Sequence, residues 1–341
     1  MQIVKDSLHN IHPLFNEIEE LYAFTSVKEQ QRTLITPTFR SVFKPIVELF
    51  NKYIGVDYQI QYTDAQTRQM STFVIPKSDK CVIVCYSGGK DSTATALHYK
   101  TQGYQVFLYH LKGINKTYKD EWRNVYAMGQ LLNLPVIFEE VSLIGNHDWV
   151  EHPLKNWIIA GRALQYGVDH HLTTNIAFGN FSTSTLDNDP FEVCGGDCKE
   201  LWNMYNSIVQ TIIPDFTVKT PLENMQSTLD ILLQHKDIAV KCQSCIGPYR
   251  YREYLHKNNE AKYNIKLPPH RCGSCRKCCL EYIVYTDNDI YEYNEAYYVH
   301  CLEVLQNTLK KEQGLRVDLD DVWSHYFFYS REDSKYYGKR G

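Results

Sequence analysis

No stretch of this chain approaches the roughly 20 consecutive apolar residues that a bilayer-spanning helix needs, so no membrane partner is expected. Nor is there a basic excess. Lysine and arginine number 36 against 40 aspartates and glutamates, a net charge of −4. That balance has no electrostatic footprint for nucleic acid, and it argues against such a partner while leaving room for a local patch. The first residues, Met1-Gln2-Ile3-Val4-Lys5-Asp6, carry charges where a secretory signal would be apolar, and the expected location is cytoplasmic. A Walker A loop is also missing. It would need a glycine five positions before a Gly-Lys pair, whereas Tyr86-Ser87-Gly88 precede Gly89-Lys90 and Asp91 follows.

The chain is long enough, at 341 residues and 43% hydrophobic, to bury one full core or two. Its organising stretch runs from Cys81 to Ser92. Cys81-Val82-Ile83-Val84-Cys85-Tyr86 is a short apolar run of the kind that forms a buried parallel strand. Ser87-Gly88-Gly89-Lys90-Asp91-Ser92 follows, and Thr93–Lys100 reads as a helix. A strand, a glycine turn and a helix N-terminus together present converging N–H groups and a favourable dipole to an anion. Cys81 and Cys85 are expected to pack as small apolar groups.

Strand and helix patterns alternate from there: strand 105–110, helix 118–133, strand 136–141, helix 156–166 stopped by Gly167, and strand 171–178. Such alternation implies a parallel sheet covered on both faces, with ligands beyond the C-terminal strand ends. Before it, residues 39–53 have helical spacing, with Pro45 tolerable near the start. Residues 56–62, with Tyr58-Gln59-Ile60-Gln61-Tyr62 alternating, read as a half-exposed strand, with 71–75 as its suggested partner. The long polar stretch 181–198 reads as a substrate loop. Helices are expected over 201–213, 223–235, 295–313 and 317–330. The implied division is an N-terminal extension (1–77), a nucleotide-binding domain (78–240) and a cysteine-rich C-terminal segment with helices (241–341).

Six of the 11 cysteines lie between Cys242 and Cys279. Cys272-Gly273-Ser274-Cys275-Arg276-Lys277-Cys278 is a double C-x-x-C, and Cys242-Gln243-Ser244-Cys245 precedes it. Paired thiolates in tight turns suit a four-coordinate structural zinc site, and sets of four cysteines also hold iron–sulfur clusters. Spacing alone does not choose four ligands among these cysteines. The chain also has 26 tyrosines, many between Tyr249 and Tyr298.

The loop Ser87–Ser92 resembles the Ser-Gly-Gly-x-Asp-Ser signature of the PP-loop ATP pyrophosphatases, which grip the pyrophosphate of ATP and adenylate an oxygen of their substrate. With the cysteine motif, it resembles the QueC family, the 7-cyano-7-deazaguanine synthases, over roughly residues 78–285. Three further stretches agree in order: His152-Pro153-Leu154-Lys155-Asn156, the loop from Gly179-Asn180 to Asp197-Cys198, and Thr220-Pro221-Leu222. The resemblance implies an α/β fold, a parallel sheet flanked by helices of the PP-loop, adenine-nucleotide alpha-hydrolase-like kind, with a zinc-binding C-terminal helical segment.

For function, it implies an ATP- and Mg²⁺-dependent ligase that adenylates the carboxylate of a 7-deazaguanine. Ser87, Gly88, Gly89, Lys90, Asp91 and Ser92 would bind ATP; Lys90, Asp91 and Asp197 would serve catalysis; Lys155, Asn156, Asn180 and Asp197 would meet the substrate. Cys245, Cys272, Cys275 and Cys278 would hold Zn²⁺. Several features depart from the family. Lys155 stands where it has arginine, His110–Asn115 replaces a Tyr-Gly-Gln-Arg-His-like stretch, and the gap between Cys245 and Cys272 is long. The acceptor is therefore open between ammonia, giving amide and nitrile, and an amine on a partner protein, as in QueC-like proteins of antiviral defence cassettes. A homodimer is among the options. Two other readings stand beside this one: a tRNA-thiolating PP-loop enzyme using Cys194 or Cys198, and a non-catalytic scaffold. His110, His147, His152, His170 and His171, with Asp187 and Asp189, are weaker candidates.

Overall fold

A computed structural model of the chain describes residues 3–5, 12–26, 31–36, 43–54, 56–62, 80–114, 121–141, 152–179, 199–222, 225–242, 249–268, 271–313 and 321. Chain contacts divide it into two compact units. Met1–Ser87 and Thr95–Asn224 form the first; Gly88–Ala94 and Met225–Gly341 form the second.

The first unit is built on a five-stranded parallel sheet in the order β1 (Ile3–Lys5), β6 (Val136–Glu140), β5 (Gln105–Lys112), β4 (Cys81–Cys85), β7 (Ile176–Ala177). All five residues of β4 are buried, which is why its sequence is a continuous apolar run. Helices α3 (Lys90–Thr101), α4 (Glu121–Leu132) and α5 (Lys155–Asp169) follow β4, β5 and β6. The order reverses at β4, with β5 and β6 on one side and β7 on the other. The C-terminal end of β4 is thus the topological switch point, where open α/β sheets place ligands. The fold is α/β, a parallel sheet flanked by helices, as expected.

Described elements before residue 78 belong to this unit. Strand β1 forms its edge, and α1 (Pro13–Thr25) packs on α5. These two helices share an entry device. His12-Pro13-Leu14 and His152-Pro153-Leu154 each start a helix, and each histidine Nδ1 accepts the N–H of the leucine two residues on, at 3.3 and 3.1 Å. The His12 N–H donates to Gln165 Oε1 at 3.0 Å, while His152 Nε2 meets Thr25 Oγ1 at 3.0 Å. Each helix start is therefore tied to the other's end, and the pair runs antiparallel. Helix α2 (Lys44–Ile54) buries Phe43, Ile46, Val47 and Phe50, with Pro45 harmless in its first turn. Strand β3 (Asp57–Tyr62) pairs in parallel with β2 (Gln31–Thr36). The suggested partner 71–75 and the suggested helix 317–330 lie outside the described residues, Asp321 excepted.

Two sequence expectations are corrected here. Gly167 does not stop α5, which runs to Asp169. A Cβ at Gly167 would sit 2.2 Å from the Thr173 carbonyl oxygen, so this glycine permits close packing. The strand expected over 171–178 shrinks to Ile176–Ala177. His171 has φ +52, and Thr173 and Asn175 bond the Cys81 carbonyl through their side chains, each at 3.1 Å, in place of a ladder. Beyond β7, the Lys219 carbonyl accepts from Phe178 N–H, which gives the Val218–Leu222 stretch its position at the sheet.

A buried polar network lies within the first unit. Arg162 donates to both oxygens of Glu19, at 2.5 and 3.0 Å, and to Glu139 at 2.8 Å; Tyr109 donates to the other Glu139 oxygen at 2.5 Å. Around it the apolar core gathers Phe15, Ile18, Phe50, Trp157, Leu164 and Tyr205.

The second unit contains α6's successors in the chain. After α6 (Lys199–Val209) of the first unit come α7 (Met225–Leu233), α8 (Lys236–Ala239), α9 (Tyr249–Tyr263), α10 (Arg276–Asp287) and α11 (Glu295–Gln313). Helices α10 and α11 pack on one another. Several of their tyrosines are buried with the hydroxyl engaged: Tyr282 donates to the Glu292 carbonyl at 3.0 Å, and Tyr298 to Asp287 at 3.2 Å, whereas the buried Tyr285 hydroxyl has no hydrogen-bond partner. An aromatic body with a satisfied polar tip accounts for part of the tyrosine bias.

Candidate nucleotide loop and metal centre

The loop leaves β4 at its C-terminal end and enters α3 at Lys90. Gly88 has φ +76, a conformation glycine takes without strain. The Gly89 carbonyl accepts Thr93 N–H at 3.0 Å, and Ser92 Oγ donates to it at 3.3 Å, fixing the first helical turn. Lys90 is buried, and its Nζ donates to Asp91 Oδ1 at 2.6 Å; Thr228 Oγ1 from α7 donates to the same oxygen at 3.3 Å. The Asp91 carboxylate is thus held from two sides. Such a loop offers converging amides, a cation and an oriented carboxylate at a helix N-terminus, which suits a polyphosphate and its divalent counter-ion.

His110, near the end of β5, donates from Nδ1 to the Tyr86 carbonyl at 3.0 Å. A carbonyl only accepts, so Nδ1 carries the proton. Burial drives the imidazole pKa down to about 4, against the opposing Tyr86 hydrogen bond, and the ring is neutral at pH 7. Cys85 is fully enclosed and burial raises its pKa well above the ordinary thiol range, so it packs as an inert thiol.

The cysteine centre is formed by Cys272, Cys275 and Cys278, whose sulfurs all lie within 4.8 Å of one another. Cys272 Sγ and Cys278 Sγ are 3.9 Å apart. Two sulfurs bound tetrahedrally at about 2.3 Å from zinc lie about 3.8 Å apart, so the spacing fits that ion. The N–H groups of Ser274 and Cys275 point at Cys272 Sγ, at 3.4 and 3.3 Å. Gly273 supplies φ +71 at the bend. The knuckle is gripped from outside: Asn259 of α9 donates to the Cys272 carbonyl at 2.8 Å and to Ser274 Oγ at 2.7 Å, and Tyr297 of α11 donates to the Gly273 carbonyl at 2.8 Å. These three cysteines can bind zinc. Cys279 follows them on α10; its free thiol is hydrogen-bonded to that of Cys301 on α11.

The structure therefore brings Lys90 together with Asp91, and three of the four expected metal ligands together. Lys155 and Asn156 open α5 in the first unit, Asn156 buried and Lys155 half-buried. Cys245, Asn180, Asp197, Cys194 and Cys198, with Asp187, Asp189 and His147, lie outside the described residues. Cys242, outside the ligand set that the family resemblance implies, sits beside the loop. Burial raises its pKa to about 11 although Thr93 hydrogen-bonds to it, and its thiol donates to the Ile238 carbonyl at 3.5 Å. Thr228 and Arg271 went unnoticed in the sequence. Nothing local marks Thr228; Arg271 could have been found from its place directly before Cys272.

No protein-family model matches this chain, and no curated protein matches it. Among solved structures, 34 chains match. One is the crystal structure of a predicted subunit of tRNA methyltransferase from Methanocaldococcus jannaschii, 14% identical over 56% of this chain and 91% of that one, with a TM-score of 0.24. A likeness that weak carries no argument. The fold assignment rests on strand order and on the loop at the switch point. No helix among the described residues is long and apolar enough to cross a membrane.

Proposed function

We propose that this chain is a QueC-like ATP-dependent ligase that adenylates the carboxylate of a 7-deazaguanine and passes the acyl group to an amine. The observation that carries the reading is the Ser87–Ser92 loop at the switch-point end of β4, with Lys90 paired to Asp91 at 2.6 Å. Loop amides and Lys90 hold the phosphates, and Ser87 and Ser92 donate to the pyrophosphate. Asp91 would hold Mg²⁺, which would supply positive charge against the leaving pyrophosphate. The substrate carboxylate oxygen attacks the α-phosphorus of ATP, pyrophosphate leaves, and an amine then displaces AMP from the acyl-adenylate. Lys155, Asn156, Asn180 and Asp197 are assigned to the deazaguanine by the family resemblance. Cys272, Cys275 and Cys278, with Cys245 as fourth ligand, hold a structural Zn²⁺.

An ammonium at position 155 cannot grip a carboxylate with two parallel hydrogen bonds as a guanidinium can. The acceptor is therefore an amine on a partner, with little nitrile made from ammonia alone. The test is incubation with ATP, Mg²⁺ and 7-carboxy-7-deazaguanine, with and without ammonium, followed by mass spectrometry. AMP and pyrophosphate should form, and Asp91→Ala should lower turnover by about 100-fold or more with the fold intact. ADP as the main product would rule out the assignment, and efficient nitrile formation would overturn the partner half of it.

A further inference from the structure

Residues 88–94 belong by their contacts to the same unit as the cysteine centre, and a continuous chain of buried groups joins the two. Arg271, the residue before Cys272, is almost fully buried. Its Nη2 donates to the Cys242 carbonyl at 2.5 Å, and its Nη1 forms an ion pair with Glu281 of α10, the helix whose first turn carries Cys278. His256 of α9 donates to the Arg271 carbonyl at 2.8 Å, so backbone and side chain are both fixed. On the other side of Cys242, its thiol bonds Thr93 in the first turn of α3 and lies within electrostatic reach of Lys90 and Asp91. Tyr285 of α10, fully buried, feels both Asp91 and Arg271.

We propose that Arg271 is a positioning residue that joins the cysteine knuckle to the nucleotide loop, holding Lys90 and Asp91 in their receiving geometry while the knuckle is formed. The physical argument is rigidity. A guanidinium in a dry site keeps its direction only if its partners are fixed, and here they are the Cys242 carbonyl and a carboxylate on the metal-bearing helix. Loss of the knuckle frees the Arg271 backbone, and with it the hydrogen bond that sets Cys242 against Thr93. The inference rests on the reading of Ser87–Ser92 as an ATP loop.

The test is calorimetric titration of the full, metal-loaded protein with ATP and Mg²⁺. Removing Arg271 alone would strand Glu281 in the interior, so the informative variant is the double change Arg271→Met, Glu281→Leu, which replaces the pair with apolar groups of similar size. It should keep its metal and its melting temperature yet bind ATP about tenfold more weakly. Arg271→Lys, which retains the charge and one donor, should recover most of that affinity. Wild-type ATP affinity in the double variant overturns the proposal; so does a loss of affinity that merely tracks loss of metal and of melting temperature. Should the double variant not fold, hydrogen exchange at residues 88–94 in the wild-type protein decides, before and after metal removal by a chelator. Faster exchange without metal is expected, and unchanged protection overturns the proposal. A wild-type protein that binds no ATP instead brings down the nucleotide-loop reading itself, and this inference with it.

Discussion

Each unit of this protein buries an arginine, and the two arginines live in different surroundings. Arg162 uses its fork on Glu19 and a third bond on Glu139, beside a broad apolar core that sheet and helices would form without it. Arg271 has one carboxylate and one carbonyl, and it sits next to a knuckle of cysteines gripped by two hydrogen bonds from Asn259 and one from Tyr297. In the first unit the polar network is an addition to hydrophobic packing. In the second, helices with no described sheet between them are tied at a few fixed polar points. A fault at one point should therefore be local in the first unit and general in the second.

The sharpest way to break that comparison is at the metal. A Cys275→Ser protein should lose its zinc, measured by elemental analysis, and much of the helical signal of the second unit, because metal binding at such a site contributes folding free energy directly. Trp157 and Trp202, buried in the first unit, should keep their blue-shifted emission. Full zinc occupancy in this variant would refute the ligand set.

Next in size is Arg162→Met. It leaves Glu19 and Glu139 without their shared cation in a buried setting, at a cost of about 3–5 kcal/mol. Urea denaturation measures it, and a loss below 1 kcal/mol would mean the network behaves like a surface pair.

The smallest effect is a pH dependence confined to the first unit. His110 has its pKa depressed to about 4, so between about 6.5 and 4 the unfolded chain takes up a proton that the folded chain refuses. Stability present at pH 7 is thus lost as pH falls through that window. From pH 7 to pH 5 the wild-type protein should lose about 2 kcal/mol more than His110→Gln, whose side chain can still donate to the Tyr86 carbonyl. Equal pH slopes for the two proteins would remove His110 as the cause.

The parts of the fold that were legible in sequence are those in which a strong local signal coincides with burial. Cys81–Cys85 reads as a buried strand and is one, and the helix over 295–313 was read to its observed limits. The loop and the double C-x-x-C were legible because their chemistry lies within a few residues. Helix α1 was missed, although Pro13 at its start and apolar residues at 14, 15, 18, 21 and 22 gave the signal. Strand β1 is only three residues long and owes its pairing to β6, which no local pattern discloses. The link from Arg271 through Cys242 to Thr93 depends on residues far apart in the chain, and sequence spacing does not report such contacts.

The reciprocal ties between the starts and ends of α1 and α5 impose an order in time on the making of this protein. Ile3 pairs with Val136, and the His12 N–H finds its acceptor 153 residues later. At roughly 5–20 residues per second, the ribosome needs on the order of 8–30 s to supply that partner. Throughout that interval the end of α5 is not there to pack on α1, whose Leu14, Phe15, Ile18 and Leu21 are buried in the finished molecule. Helix α1 is thus made well before the end of α5 to which it is tied.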